Sequence, residues 1–433
     1  MNRTLLALLT FLCFCCKDEG TPPPPDVPSI ALEAVDASCT EAWLRASTTA
    51  TPATVRLLRD NQRVADLRIL TADSLLIDGD LLPNRQYSYQ LQKLGNDSNV
   101  VEISTSVQLT TMDTTSHYYT WQLDTLGDGS SSVLADVAII NDTLAYAVGA
   151  IYLRDSVGNW DPNAYNMVKW NGNRWELMRV QFYTFCNQPS TGSYPAKSIF
   201  AFSPTDVWIG MDGSQVVHWN GQTQSAPMCT PVSINKLWGD NPNSVWAVGN
   251  NGGIAHYNGS TWQRVESGVT ANMQDVWGYT DPNLGTRVVF SVGGTSGNVK
   301  LLTLSPTAAR DTLSWPSMED AISIWTTNGS AIYAAGVGIW RHRGSSWQRM
   351  GGLPCGILFT RVRGSRSNNI FAVGSFGTLV HWNGTNWCQY GELPTDFRYQ
   401  GIAVSQNMVV AVGFSLSGVF ADRAAVVIGR RVR

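Results

Sequence analysis

Apolar and polar residues alternate along most of the chain in short runs that end at glycine, asparagine or proline. Alternation with period two predicts short β-strands joined by tight turns, and long runs of helical periodicity are absent. One stretch occurs almost twice: SVWAVGNNGGIAHYNGSTWQRV begins at Ser244, and NIFAVGSFGTLVHWNGTNWCQY begins at Asn369. The repetition indicates a structural unit that the chain uses several times.

Shorter parts of this unit recur throughout the chain. Ala-Val-Gly or a close variant lies at 146–149, 208–210, 246–249, 290–293, 333–336, 371–374 and 410–413. An Asn-Gly pair follows at 171–172, 220–221, 258–259 and 383–384. Asn-Gly favours a two-residue hairpin in which both central residues have positive φ. Each unit is therefore predicted to be four strands, with this turn between the third and the fourth.

Units return at intervals of about 35–50 residues, which is the period of a β-propeller blade, and counting them predicts seven blades. Residues 117–127 resemble a fourth strand without the three that should precede it, and the last unit, 397–433, lacks its fourth strand. We therefore predict a ring in which this N-terminal strand completes the last blade and removes both open sheet edges.

Residues 29–112 alternate as an antiparallel sandwich does, and LLPNRQYSYQL places Tyr87 at the spacing of a tyrosine corner. Together with Trp43 on an early strand, this resembles a fibronectin type III domain, which implies a spacer. The predicted fold is all-β: a fibronectin type III-like sandwich followed by a seven-bladed propeller over 113–433.

The first residues carry a targeting pattern. Asn2 and Arg3 precede an apolar run, 5–14, that ends in Cys13-Phe14-Cys15-Cys16 and turns polar at Lys17-Asp18-Glu19. This resembles a bacterial lipoprotein signal over residues 1–16 with Cys16 acylated; Cys15 and a plain secretory signal are the alternatives. The acidic pair resembles an export signal to the outer face of the outer membrane, which implies a lipid-anchored envelope protein. Residues 17–28 contain four consecutive prolines and are predicted to form an extended linker.

Charge and motifs exclude several classes of function. Charged residues make up 15% of the chain and its net charge is −3, so no basic field would attract nucleic acid. We find no nucleophile elbow, phosphate loop or zinc spacing, and we expect a monomer without metal or cofactor. His218, His256 and His381 stand at one position of three units, which predicts packing residues.

The turn before the fourth strand resembles the Asp-box of sialidase-like propellers, and the repeat as a whole is also similar to kelch-like propellers. Gly259 with Trp262, and Gly384 with Trp387, match the Asp-box spacing, but Tyr257 and Trp382 replace its aspartate. This resemblance implies a fold and says nothing about hydrolytic activity.

Four cysteines flank two units at comparable positions. The expected disulfides are Cys186–Cys229 and Cys355–Cys388, with Cys39 unpaired and free thiols as the alternative.

Two regions are candidate binding sites. Aligning the innermost strands places seven residues around the predicted channel: Asp136, Ser198, Lys236, Asp275, Ser323, Arg361 and Gly401. They would hold a polar ligand, or Lys236 and Asp275 would neutralise each other as an exposed pair.

The second region consists of two long loops of the first unit, predicted to emerge side by side. They carry Tyr152, Arg154, Trp160, Asp161, Tyr165, Phe182, Tyr183, Phe185 and Tyr194. Aromatic side chains mixed with Asp and Arg suit stacking on sugar rings or docking of a peptide, unless they fold inward and fasten the loops.

The sequence thus favours a non-catalytic recognition or scaffold protein that binds an extracellular glycan or protein through its loop face. The alternative is a glycan-cleaving enzyme, which needs two carboxylates about 5–10 Å apart across a cleft.

Overall fold

The computed structural model describes residues 29–281, 285–294, 297–311, 313–417 and 420–432. The expected signal peptide with Cys16, and the linker up to residue 28, lie outside these residues. The described part of the chain is all-β, without an α-helix. It accordingly contains no helix with the length and hydropathy needed to cross a membrane.

The N-terminal strands form two facing sheets around one apolar core. The first sheet has the order β1-β2-β5, with strands β1 (Ile30–Ala37), β2 (Ala42–Thr48) and β5 (Asp73–Asp78). The second has the order β4-β3-β6-β7, with β8 also paired to β6; its strands are β3 (Ala53–Arg59), β4 (Gln62–Ile69), β6 (Gln86–Leu94), β7 (Val100–Ile103) and β8 (Val107–Thr110).

The two sandwich residues that the sequence analysis singled out, Tyr87 and Trp43, make contacts in different parts of the molecule. The hydroxyl oxygen of Tyr87 accepts a hydrogen bond from the Leu82 backbone N–H at 2.9 Å, which is the contact a tyrosine corner makes. Trp43 is buried, but it packs with Trp325 and Phe359 outside the sandwich core. Trp43 therefore joins the sandwich to the rest of the molecule.

The remaining strands form seven four-stranded antiparallel sheets and one small hairpin, counted over the described residues. In chain order these are β10 (Val133–Asn141), β11 (Leu144–Ile151), β12 (Tyr165–Trp170), β13 (Trp175–Met178); the hairpin β14 (Phe182–Tyr183), β15 (Thr191–Gly192); β16 (Ala196–Ser203), β17 (Asp206–Met211), β18 (Gln215–Trp219), β19 (Met228–Cys229); β20 (Lys236–Asn241), β21 (Ser244–Val248), β22 (Ile254–Tyr257), β23 (Trp262–Arg264); β24 (Met273–Thr280), β25 (Arg287–Gly293), β26 (Lys300–Ser305), β27 (Ala308–Asp311); β28 (Ala321–Thr326), β29 (Ile332–Gly336), β30 (Gly338–Arg343), β31 (Ser346–Arg349); β32 (Phe359–Arg366), β33 (Asn369–Gly374), β34 (Leu379–Trp382), β35 (Trp387–Gln389); and β36 (Phe397–Val404), β37 (Met408–Ser417), β38 (Phe420–Arg431) with β9 (Tyr119–Leu126).

The sheets form a closed ring. The first strand of each sheet contacts the first strand of the next, and β36 of the last sheet contacts β10 of the first. The last sheet takes its outermost strand from the beginning of this part of the chain: β9 pairs with β38, with Gly429 opposite Trp121 and Val427 opposite Leu123. This is the closure that the sequence predicts.

Aromatic side chains of one sheet pack on glycines of the next. A Cβ built on Gly278 would lie 2.4 Å from the ring of Trp238, and one on Gly364 would lie 2.7 Å from the ring of Trp325. Real Cβ atoms do not approach that closely, so only glycine leaves room for the indole. The recurrent aromatic and glycine of the first strands are therefore needed for sheet-to-sheet packing.

The Asn-Gly turns differ from the two-residue hairpins that the sequence suggested. Trp170 pairs with Trp175, and Tyr257 with Trp262, so four residues form each loop. Only the glycine has positive φ, for example 93° at Gly259. The Asn258 side-chain oxygen accepts hydrogen bonds from the N–H groups of Ser260 and Thr261, both at 3.0 Å, and this stabilises the longer loop.

The sandwich is fastened to one end of two neighbouring sheets. The buried Glu41 carboxylate forms ion pairs with Arg341, at 3.0 Å, and with Arg343. Cys39 packs against Gly384 of the next sheet, and its thiol donates to the carbonyl oxygen of Asp113 at 3.2 Å. Because a buried carboxylate without its partners is costly, these contacts hold the two parts in one arrangement.

A histidine pair secures the segment that leads into the closing strand. His117 and His381 face each other with their Nδ1 atoms 2.9 Å apart, and His381 Nε2 lies 3.0 Å from Asn369 Oδ1. His381 also stacks on Phe371, with ring centroids 4.3 Å apart. Burial, helped by His117 and Arg431, lowers the pKa of His381 to about 2, so this ring stays neutral in the folded protein.

The protein should therefore lose stability on acidification through His381. An unfolded histidine protonates near pH 6.5 whereas folded His381 does not, so its contribution is complete above that pH and falls by about 1.4 kcal/mol for each pH unit below it. Between pH 6.5 and pH 5 this amounts to about 2 kcal/mol. Urea unfolding at both values should show a smaller pH dependence for His381→Gln than for the wild type. His256 and His342, whose pKa values burial also lowers, are present in both proteins and cancel in the comparison. An unchanged pH dependence in the variant would contradict the assignment.

Candidate functional site

The channel at the centre of the ring contains two copies of one hydrogen-bonded arrangement. In the first, the Asp136 carboxylate accepts hydrogen bonds from Ser198 Oγ at 2.8 Å and from the Ile199 N–H at 2.9 Å, both on the following sheet. Ser198 Oγ in turn accepts from the Leu237 N–H of the third sheet at 2.9 Å. One aspartate and one serine thus connect three consecutive sheets.

The second copy begins at Asp275, three sheets further round the ring. Its carboxylate accepts from Ser323 Oγ at 2.7 Å and from the Ile324 N–H at 3.0 Å, and Ser323 Oγ accepts from the Val362 N–H at 3.1 Å. The residues that the sequence alignment places around the channel therefore form a structural repeat. Its first copy is Asp136, Ser198 and Lys236, and its second copy is Asp275, Ser323 and Arg361. Gly401 completes the circle, because a Cβ there would lie 2.9 Å from the Asp136 backbone.

Each aspartate is neutralised by a cation two sheets further on. Lys236 forms an ion pair with Asp136, and Arg361 forms one with Asp275 at 3.0 Å. Lys236 and Asp275 are not the exposed pair that the sequence offered as one alternative: they lie on adjacent sheets, both are buried, and their ion-pair partners are Asp136 and Arg361. Despite burial, which opposes ionisation, the neighbouring cations keep the pKa values of Asp136 and Asp275 below their ordinary range.

Arg363 is a channel residue that sequence reasoning missed. Its guanidinium makes two hydrogen bonds to the Asp275 carboxylate, at 2.9 and 2.7 Å, and stacks 4.7 Å from the ring centroid of Trp277. Its position in the repeat was the signal that could have identified it. Arg363 precedes Gly364 on the first strand of its sheet, and the first strands of two earlier sheets carry a tryptophan, Trp238 or Trp277, at the same place before a glycine.

The antiparallel order gives the ring two distinct ends. The connections between second and third strands, and those between sheets, lie at one end, which we call the upper face. Connections between first and second strands, and between third and fourth strands, lie at the other end, the lower face. The sandwich contacts the lower face through Arg341, Arg343 and Gly384.

The two loops predicted as a binding rim lie on the upper face and are fastened to each other. Residues 152–164 connect β11 to β12, and residues 179–195 connect β13 to β16. Arg179, from the second loop, forms an ion pair with Asp161 and stacks 3.8 Å from the ring centroid of Tyr165. Sequence reasoning did not identify Arg179, whose contacts hold the loops side by side.

Some of the predicted rim residues hold the two loops in place, and others are exposed to solvent. Phe182 is fully buried, and Tyr194 donates its hydroxyl to Thr184 Oγ1 at 3.0 Å within its own loop. The backbone of Tyr183 is fixed by Gln215, whose side chain binds its N–H and its carbonyl oxygen. Tyr152, Tyr165 and Asp161 are half-buried. For these residues the inward-folding alternative describes the structure better than an open platform does.

Trp160 and Phe185 remain exposed, at 38% and 72% of their surface. The Arg154 guanidinium lies 4.1 Å from the ring centroid of Trp160, while its Nη1 donates to the Gly158 carbonyl oxygen at 2.7 Å. A planar cation stacked on an indole offers hydrogen-bond donors beside an apolar surface. These three residues are the accessible part of the rim.

Two further exposed apolar side chains of the upper face were not predicted. Met318 and Phe376 lie on connections of other sheets, and Arg398 stacks on Phe376 at 4.1 Å from its ring centroid. Single apolar residues in short loops carry no sequence signal, so only the fold places them with Trp160 and Phe185.

The structure forms one of the two predicted disulfides. Cys186 of the 179–195 loop is bonded to Cys229 on β19, with a Cα–Cα distance of 5.9 Å. Cys355 and Cys388 are free, contrary to the prediction. Cys355 is exposed in a loop that an isolated bridge between Leu358 and Val337 joins to the preceding sheet, and Cys388 lies on the outermost strand of the next sheet.

The three repeated histidines share one structural role. His218, His256 and His381 lie on third strands and contact the first residue of the neighbouring second strand; the partners are Asp206, Ser244 and Asn369, at 2.8, 3.0 and 3.0 Å. Each ring also packs on an aromatic residue of that second strand. No metal-binding group of three His, Cys, Asp or Glu side chains occurs in the described ranges.

No protein-family model matches the chain, and no curated protein matches it in sequence. Solved structures match it in fold. One described as YCF48 bound to D1 peptide has a TM-score of 0.53 and 16% identity, over 74% of this chain and 99% of that chain. YCF48 from Cyanidioschyzon merolae has a TM-score of 0.51 and 13% identity, over 70% and 98%. The chain thus contains a β-propeller.

Removing either channel serine should destabilise the propeller by a similar amount. Ser198→Ala and Ser323→Ala each leave a buried N–H without its acceptor and remove one hydrogen bond from a buried carboxylate, which costs about 1–3 kcal/mol. Chemical denaturation should show this loss for both variants, whereas Ser305→Ala, at an exposed turn, should match the wild type. Channel variants as stable as Ser305→Ala would show that the Asp-Ser contacts do not connect the sheets.

Proposed function

We propose that this chain is a non-catalytic recognition protein that binds an extracellular peptide or protein segment through the upper face of its propeller. The observation that carries the proposal is the distribution of exposed apolar side chains. Five of the eight exposed large apolar side chains in the described propeller residues lie on the upper face: Val157, Trp160, Phe185, Met318 and Phe376; the others are Tyr118, Leu123 and Val432. Exposed apolar and aromatic residues gathered on one face are typical of a protein-binding surface.

Two stacked pairs make the upper face suitable for a peptide. Arg154 on Trp160 and Arg398 on Phe376 each combine a flat apolar surface with guanidinium donors that can reach backbone carbonyl oxygens. Arginine and tryptophan are enriched among the residues that dominate binding energy at protein interfaces. The YCF48 structure bound to a D1 peptide supports a peptide ligand by analogy of fold. A glycan remains the alternative ligand, since aromatic rings also stack on sugars.

The segments that precede the propeller would present its upper face away from the membrane. In our proposal Cys16 carries the lipid anchor in the outer membrane, residues 17–28 extend the chain, and the sandwich is a fibronectin type III-like spacer. The seven four-stranded sheets would be seven blades. Docking of the sandwich on the lower face supports this arrangement, because it leaves the upper face uncovered.

The glycan-cleaving alternative depends on Asp136 and Asp275. Both carboxylates are buried and held by the cations of the channel, and their lowered pKa values oppose a role as general acid. They are therefore assigned a structural role.

The proposal is tested with the full-length protein and a displayed library of random peptides. Peptides selected on the wild type should lose roughly tenfold or more in affinity for the double variant Trp160→Ala, Phe185→Ala, because aromatic anchors dominate such interfaces. Binding is measured by surface plasmon resonance. Tyr118→Ala, which removes an exposed aromatic side chain away from the upper face, is the matched control and should retain full affinity.

Equal affinity of the double variant and the wild type would overturn the proposal. A glycan array probed with the same three proteins decides between ligand classes: binding to glycans alone, lost in the double variant, would assign the face to sugars.

A further inference from the structure

The charges inside the channel do not balance. Asp136 pairs with Lys236 and Asp275 pairs with Arg361, so each copy of the repeated arrangement is neutral by itself. Arg363 is a third cation, and its carboxylate partner, Asp275, is already neutralised by Arg361. This cluster of five side chains, none more than 12% exposed, therefore carries one excess positive charge. An uncompensated buried charge is unfavourable and attracts an anion.

The same side chains have unused hydrogen-bond donors. Within the described residues, Lys236 Nζ donates to Asp136 alone although an ammonium has three N–H bonds, and Arg361 Nε is buried without a partner. The lysine side chain is 7% exposed, so bulk water does not readily satisfy the remaining donors.

A cavity of about 150 Å³ adjoins this cluster, with Lys236 and Arg363 in its wall. Its other walls are apolar and come from the later residues of the first strands, among them Ile199, Ala201 and Ile402. The cavity is large enough for several water-sized groups. It lies toward the lower face, away from Trp160 and Phe185, and is independent of the function proposed for the upper face.

We propose that the central channel binds a small carboxylate, whose anionic group pairs with Lys236 beside Arg363 and whose apolar part fills the adjoining cavity. One cationic end and one apolar end match an amphiphilic anion better than they match inorganic phosphate. A free short-chain acid and the C-terminus of a peptide share this chemistry.

The protonation state of Lys236 gives the site a pH dependence. Burial lowers the pKa of Lys236 to about 8, and Arg363 and Arg361 act in the same direction, whereas Asp136 and Asp275 raise it. Above pH 8 the ammonium loses its proton and the excess charge disappears, so affinity for a carboxylate should fall.

The proposal is tested by isothermal titration calorimetry of the full-length protein with butyrate, N-acetylvaline and the neutral butyramide. Butyrate should bind with a dissociation constant on the order of a millimolar, as expected for so few atoms. Affinity should be higher at pH 7 than at pH 9, and butyramide should not bind. Binding of N-acetylvaline as well as butyrate indicates a peptide C-terminus, and binding of butyrate alone indicates a free acid.

Two variants test separately how much the charge and the cavity contribute to butyrate binding. Lys236→Met removes the excess charge and should weaken butyrate binding roughly tenfold or more. Ala201→Leu keeps every charge but fills the cavity, and should have the same effect. Lys300→Met, which removes a half-buried lysine paired with Asp311 outside the channel, is the matched control and should bind as the wild type does.

The proposal is overturned if the wild type shows no saturable butyrate binding, or if Ala201→Leu binds butyrate as tightly as the wild type. If Lys236→Met does not fold, the Ala201→Leu result decides, because that substitution leaves the ion pairs intact.

Discussion

The propeller depends on the contact between an aspartate of one innermost strand and a serine of the next. A ring of sheets has no central core of its own, so its inner strands must be joined by side chains that reach across to neighbouring backbones. Asp136 and Asp275 each make two such contacts, one with a serine hydroxyl and one with a backbone N–H group of the following sheet. The carboxylates are tolerable in a buried channel only because Lys236 and Arg361 reach them from two sheets away.

Repetition made the architecture predictable from the sequence. The recurrent Ala-Val-Gly strands, the Asn-Gly turns and the lone strand at 117–127 predicted four-stranded units and their closure, and all three are local patterns. The turns at Asn-Gly lie where the sequence predicts them, but their geometry differs from the prediction. The Asn258 side chain stabilises a four-residue loop, whereas a two-residue hairpin was expected.

Contacts between units were harder to predict. The aligned channel residues were identified, yet the partner of Lys236 was not, because pairing two sheets apart leaves no trace in residue spacing. Trp43 was assigned to the sandwich, whereas its burial depends on a surface of Trp325 and Phe359 that lies nearly three hundred residues away. Of the rim residues, the sequence could not tell exposed Trp160 from buried Phe182, since both are aromatic residues in long loops.

Closure by β9 has a consequence for how the protein is made. The strand at Tyr119–Leu126 pairs with residues 424–431, so it leaves the ribosome long before its partner exists. Pairing across such a sequence separation is slow, and until it forms β38 and β9 each expose an unpaired strand edge. The nascent chain is therefore prone to aggregation until residues 424–431 have been synthesised, and a chain that stops before them leaves the ring open.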